Sequence, residues 1–104
     1  MTTQSEHLKP PARDSQPLKI LLVDDIQENL ELLEDVLSEN GYRTVIARNG
    51  VEALQLLKAE NVHMIVADAM MPKMDGFQLC KEVRTLPACT TLPFIIYTGN
   101  YVDT

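Results

Sequence analysis

A chain of 104 residues, 45% apolar and 23% charged, has the size and balance of one globular domain with a modest core, so any substantial output function is expected to lie elsewhere. Nine Lys and Arg against fifteen Asp and Glu give a formal charge of −6 with the cations scattered, which argues against direct nucleic-acid contact, because phosphates require clustered positive charge. The N-terminus has no apolar signal core and no window approaches the roughly eighteen apolar residues of a membrane span, so the expected location is the cytoplasm, without membrane contact.

Residues 1–17 are polar and carry Pro10, Pro11 and Pro17, a composition expected to form a disordered leader. The folded domain is expected over residues 18–104. "LKILLV" (18–23) reads as a strand, and after "DD" the spacing becomes helical through Ile26, Leu30, Leu33 and Leu37. "ENG" closes that helix, with Gly41 at the position where a left-handed backbone is favoured.

"YRTVIA" (42–47) is a second strand, polar enough for a sheet edge. "NGVE" opens a second helix, with Asn49 as N-cap, Glu52 completing a capping box, and Val51, Leu54 and Leu57 as the buried stripe. "VHMIVA" (62–67) is the third strand, with His63 at its start on the surface. Asp75 and Gln78 form a second capping box at the head of a third helix, and "LPFIIYT" (92–98) is the fourth strand.

This alternation implies an α/β fold with parallel strands, right-handed crossovers and helices on both faces. "FIIY" is as apolar as the central strands, yet the sequence stops at Thr104, six residues after Thr98. An apolar parallel strand expects a neighbour on each side. The sequence is therefore expected to be a fragment lacking at least one strand and two helices, and to self-associate through its fourth strand or pack poorly. Cys80 and Cys89 are too far apart for a CxxC motif and are expected to be reduced thiols.

Ligands of open parallel sheets bind beyond the C-terminal strand ends, where the strand order reverses. Asp24 and Asp25 follow strand one and Asp68 follows strand three, so an order 2-1-3-4 would gather all three around one crevice, bordered by Thr98. Three close carboxylates repel one another unless a cation intervenes, and an oxygen-only set suits Mg²⁺. Beside such an ion Asp68 could attack phosphorus and become an acyl phosphate, with Asp24 and Asp25 holding the metal and the Thr98 hydroxyl bonding a phosphoryl oxygen. An Asp pair after a strand also serves as a helix cap, with Asp25 and Glu28 as the box. The combination with Asp68 and Thr98 favours a site.

"ILLVDD", "DAMMPKMDGF" and "PFIIYTG" resemble the three signature blocks of bacterial response regulator receiver domains, from about Leu18 to the end of the chain. The resemblance implies a flavodoxin-like, doubly wound parallel sheet, here with the fifth strand and last two helices missing. It also implies phosphoryl transfer, with Mg²⁺, from a sensor histidine kinase or phosphotransfer protein, to switch a partner or an output domain. By that resemblance Asp68 is the phosphoacceptor, Asp24 and Asp25 are metal-binding acids, Thr98 is the switch hydroxyl, and the Met70 backbone carbonyl is a further metal ligand. The family's lysine and aromatic switch residue, on and after its fifth strand, have no counterparts in these 104 residues.

The resemblance implies no enzyme beyond self-phosphorylation and self-dephosphorylation. A receiver-like interaction domain that is never phosphorylated is the alternative. A hydrolase working through an aspartyl phosphate would carry D-x-D after strand one, where this chain has "DD".

Overall fold

The computed structural model describes residues 17–98. Apart from Pro17, the expected leader lies outside the described residues, as do residues 99–104. The first strand, β1 (Lys19–Val23), buries Leu21 and Val23 on one face and Ile20 and Leu22 on the other, because successive side chains of a strand alternate. Both faces therefore require cover. α1 (Gln27–Glu39) covers Ile20 and Leu22 with Leu30, Leu33 and Leu37. α2 (Gly50–Ala59) and α3 (Gly76–Arg84) cover Leu21 and Val23 with Ala53, Leu79 and Val83.

β2 (Arg43–Ala47), β3 (Met64–Asp68) and β4 (Phe94–Tyr97) complete a parallel sheet in the order β2-β1-β3-β4, the order expected from the sequence. The chain thus runs outward to β2 and then back across β1 to β3, so the strand order reverses between β1 and β3. β2 is an edge, as its polarity suggested. β4 is the other edge among the described residues, and Ile95, paired with Val66, is 49% exposed, in line with an open fourth strand.

Two local readings need correction. Val51 is 58% exposed, because the buried side of α2 centres on Gly50 and Ala53, with Leu54, Leu56 and Leu57 packed against the core. One residue on from Gly50, Val51 is turned about 100° off that face. The Asp25–Glu28 box is also not formed: the N-cap position of α1 is Ile26, without a side-chain cap.

The remaining boundaries follow local chemistry. Gly41 has φ +88 just after α1, the left-handed value expected of it. Asn49 accepts from the Glu52 N–H at 2.8 Å, but the Glu52 carboxylate reaches back to the Arg48 N–H, one residue earlier than in a standard box. At α3 the box is complete: Asp75 accepts from the Gln78 N–H at 2.8 Å and Gln78 Oε1 accepts from the Asp75 N–H at 2.9 Å. Asp75→Ala is expected to lower the unfolding free energy by about 1 kcal/mol, measured by urea titration, because the Gln78 N–H loses its acceptor.

At the far end of the sheet, His63 is exposed and accepts from the Lys19 N–H through Nδ1 at 2.9 Å. Lys19 pairs with Glu60 at 2.8 Å. After α3, a 3-10 turn (Pro87–Cys89) leads into β4, and Arg84 spans this crossover by donating to the Cys89 and Leu92 carbonyls at 3.0 and 2.7 Å. Cys80 and Cys89 are free thiols. Among the described residues no helix is long and apolar enough to cross a membrane.

Candidate functional site

Three aspartates meet at the C-terminal ends of β1 and β3, on either side of the point where strand order reverses. One oxygen from each of Asp24, Asp25 and Asp68 lies within 4.8 Å of the other two. Asp24 and Asp68 are fully buried and Asp25 is exposed. Burying an anion is costly unless donors meet it, and both buried acids accept hydrogen bonds.

Asp24 follows β1, and its N–H continues the ladder to the Ala47 carbonyl at 3.2 Å. Its Oδ1 accepts from the Ile26 N–H at 2.9 Å, turning the chain into α1. Its Oδ2 accepts from Asn29 Nδ2 at 3.0 Å and from the Tyr97 hydroxyl. Asp68 is the last residue of β3 rather than the first beyond it, and its Oδ1 accepts from the Met70 N–H at 3.3 Å.

The loop after Asp68 is held closely against the strand end. Ala69 donates to the Tyr97 carbonyl at 2.7 Å, and Gly76 donates to the Ala69 carbonyl at 3.3 Å. A Cβ on Gly76 would stand 2.5 Å from the Asp68 carbonyl oxygen, so only glycine permits this approach. Lys73, with φ 69, forms a tight three-residue turn in which Met74 donates to the Pro72 carbonyl at 2.7 Å. Met74 then packs where a side chain on Gly50 would have to go, fastening this loop to the start of α2. Met71 is buried and packs with the core on the α2 and α3 side of the sheet.

The other sequence-predicted residues lie at the margin. Thr98 comes directly after β4 and is exposed. Met70, two residues beyond Asp68, has a 63% exposed side chain. A cleft opens beside Asp25, lined among others by Val51, Pro72 and Met74.

Two site residues were not anticipated: Asn29 and Tyr97. Asn29 lies in the first turn of α1, where its amide can reach back to the residue that follows β1. Tyr97 reads in sequence as one more apolar strand residue, but its register opposite Asp68 brings it to the acidic end of the sheet. Burial, the hydrogen bond to Asp24 and the charges of Asp24, Asp68 and Asp25 all push its hydroxyl far above the ordinary range, so it remains a proton donor. The donor set, three carboxylates with no sulfur or imidazole among them, fits a hard divalent cation such as Mg²⁺.

Comparison with known proteins is consistent throughout. Residues 20–103 match the family model of the response regulator receiver domain. The response regulator MprA of Mycobacterium sp. (strain KMS) is 39% identical over 84 residues, which are 81% of this chain and 36% of that protein. The receiver domain of a signal transduction histidine kinase from Syntrophus aciditrophicus superposes with a TM-score of 0.74 at 38% identity, covering 82% of this chain and 64% of that one. The receiver domain of sensor histidine kinase PA1611 from Pseudomonas aeruginosa PAO1, described with a magnesium ion coordinated in its active-site cleft, gives 0.76 at 27% identity, covering 85% and 72%. The chain spans less than two thirds of the length of the first curated relatives it matches.

Proposed function

We propose that this chain, which belongs to the response regulator receiver family, is a phosphoacceptor module of a cytoplasmic phosphorelay, taking a phosphoryl group onto Asp68 from a phosphohistidine of a sensor kinase or phosphotransfer protein. The observation that carries the reading is the convergence of three carboxylates, two of them fully buried, at the reversal point of the sheet. Members of this family are signalling modules rather than enzymes with an external product. Receiver domains act with histidine kinases or output domains, and such a unit would read the phosphorylated state.

Asp24, Asp25, Asp68 and the Met70 carbonyl would hold Mg²⁺, which when bound supplies positive charge against the phosphoryl oxygens. A carboxylate oxygen of Asp68 attacks phosphorus, the bond from phosphorus to the imidazole nitrogen breaks, and that nitrogen keeps the electron pair. The Met70 N–H, bonded to Asp68 Oδ1 at 3.3 Å, helps orient the nucleophile. The Thr98 hydroxyl, next along from β4, donates to a phosphoryl oxygen once the group is in place.

Intact mass after incubation with acetyl phosphate tests the reading. One phosphoryl group is expected to add with Mg²⁺ and none once EDTA removes the ion. Failure to add it in either condition, on folded protein that binds Mg²⁺, would favour the interaction-only alternative. Continuous release of phosphate from many monoesters would instead indicate a hydrolase.

A further inference from the structure

Three of the roughly four acceptor positions of the Asp24 carboxylate already have donors: Ile26 N–H on Oδ1, and the Asn29 amide and Tyr97 hydroxyl on Oδ2. Two of these donors belong to the turn and helix that follow Asp24. The third comes from β4, 73 residues later, with β3 lying between the two strands. Tyr97 therefore reaches across the end of β3, where Asp68 pairs with it in register, to touch the acid beyond. Its backbone is fixed independently, since the Tyr97 carbonyl accepts from Ala69 N–H at 2.7 Å.

We propose that the Tyr97 hydroxyl is a positioning latch on Asp24: it holds the acid in the metal-free protein and releases it when a divalent cation enters the three-aspartate site. The inference rests on the metal reading of Asp24, Asp25 and Asp68 and adds a residue to it. A phenolic proton directed at Oδ2 presents its positive end to the same carboxylate that must face the cation, so the two compete for one anion. With the backbone pinned, release is a side-chain rotation within β4, immediately before Thr98. Cation entry and movement at the end of β4 thereby become a single event.

The latch makes Mg²⁺ affinity depend on a hydroxyl that is not itself a ligand. Tyr97→Phe keeps the ring and removes the donor, leaving metal-free Asp24 less satisfied. Mg²⁺ is expected to bind that variant roughly tenfold more tightly by calorimetry, the scale of one hydrogen bond to a charged group. In the parent chain Mg²⁺ should also produce a near-ultraviolet difference signal as the phenol loses its acceptor, and the variant should lack it. A side chain with only a packing role would change the melting temperature and leave both readouts unmoved.

If the parent binds Mg²⁺ and Tyr97→Phe binds it equally or more weakly, the latch is wrong while the metal site stands. If neither protein, shown folded by its melting transition, binds Mg²⁺, the metal reading falls and the latch with it. Binding by the variant alone would be the latch in its strongest form. Should the Phe variant not fold, Tyr97→Leu carries the same two measurements and the same expected outcomes.

Discussion

Asp68→Asn is expected to abolish phosphoryl uptake from acetyl phosphate and, at the same time, to make the metal-free protein more stable. The first effect follows from chemistry: an uncharged amide is a far poorer nucleophile toward phosphorus than a carboxylate. The second follows from the crowding of Asp24, Asp25 and Asp68, whose oxygens lie within 4.8 Å of one another. At an effective dielectric near 20, two charges at about that distance repel by roughly 3 kcal/mol. Exposure of Asp25 screens part of this.

Asparagine is nearly isosteric, keeps an oxygen for the Met70 N–H and removes one of the three converging charges. A gain of about 1–2 kcal/mol is expected in urea unfolding without Mg²⁺. Saturating Mg²⁺ should narrow or reverse the difference, because the parent then gains binding energy that the variant has partly lost. Uptake persisting in Asp68→Asn would place the acceptor elsewhere. Unchanged metal-free stability would mean that the three acids do not repel as their spacing requires.

Gly76→Ala is expected to damage both fold and site. The added Cβ would meet the Asp68 carbonyl oxygen at 2.5 Å, the Asp68 carbonyl carbon at 3.1 Å and the Ala69 Cα at 3.2 Å. All three are backbone atoms, which cannot rotate away, so the loop must shift. Overpacking of this kind costs about 1–3 kcal/mol, and the displaced atoms belong to the proposed acceptor residue, so phosphoryl uptake should fall with stability.

Gly41→Ala is the informative comparison. Nothing lies within 4 Å of the place its methyl group would take, and only the φ of +88 opposes the substitution. It should cost about 1 kcal/mol through backbone strain and leave phosphoryl uptake unaltered. If the two variants lost uptake equally, proximity to Asp68 would not be the reason.

What could be read from sequence was mostly what local spacing encodes. The Asp75–Gln78 box, the left-handed Gly41 and the alternation of strand and helix each depend on residues a few positions apart. The acid cluster was legible because strand ends in a reversed parallel order converge, a rule of topology that needs no side-chain coordinates. The misreading of Val51 has a different origin: the buried centre of α2 is made of Gly50 and Ala53, which a search for large apolar residues passes over.

Tyr97 and Asn29 were hidden for a third reason. Their partner is Asp24, and a hydrogen bond that joins β4 to the end of β1 depends on register and on a rotamer, neither of which leaves a local pattern. Apolar composition predicts that a strand can be covered on both faces, while cover itself depends on which elements pack there.

Arg84 gives the crossover between α3 and β4 a cooperative character. One guanidinium nitrogen holds the carbonyls of Cys89 and Leu92, while Pro93 accepts from the Ile65 N–H at 2.9 Å and so ties the same segment to β3. The last turn of α3, the 3-10 turn and the start of β4 are therefore expected to open to solvent as one unit. Their amide protons should exchange with deuterium at a common rate, and losing the Arg84 guanidinium should split that rate into separate, faster ones.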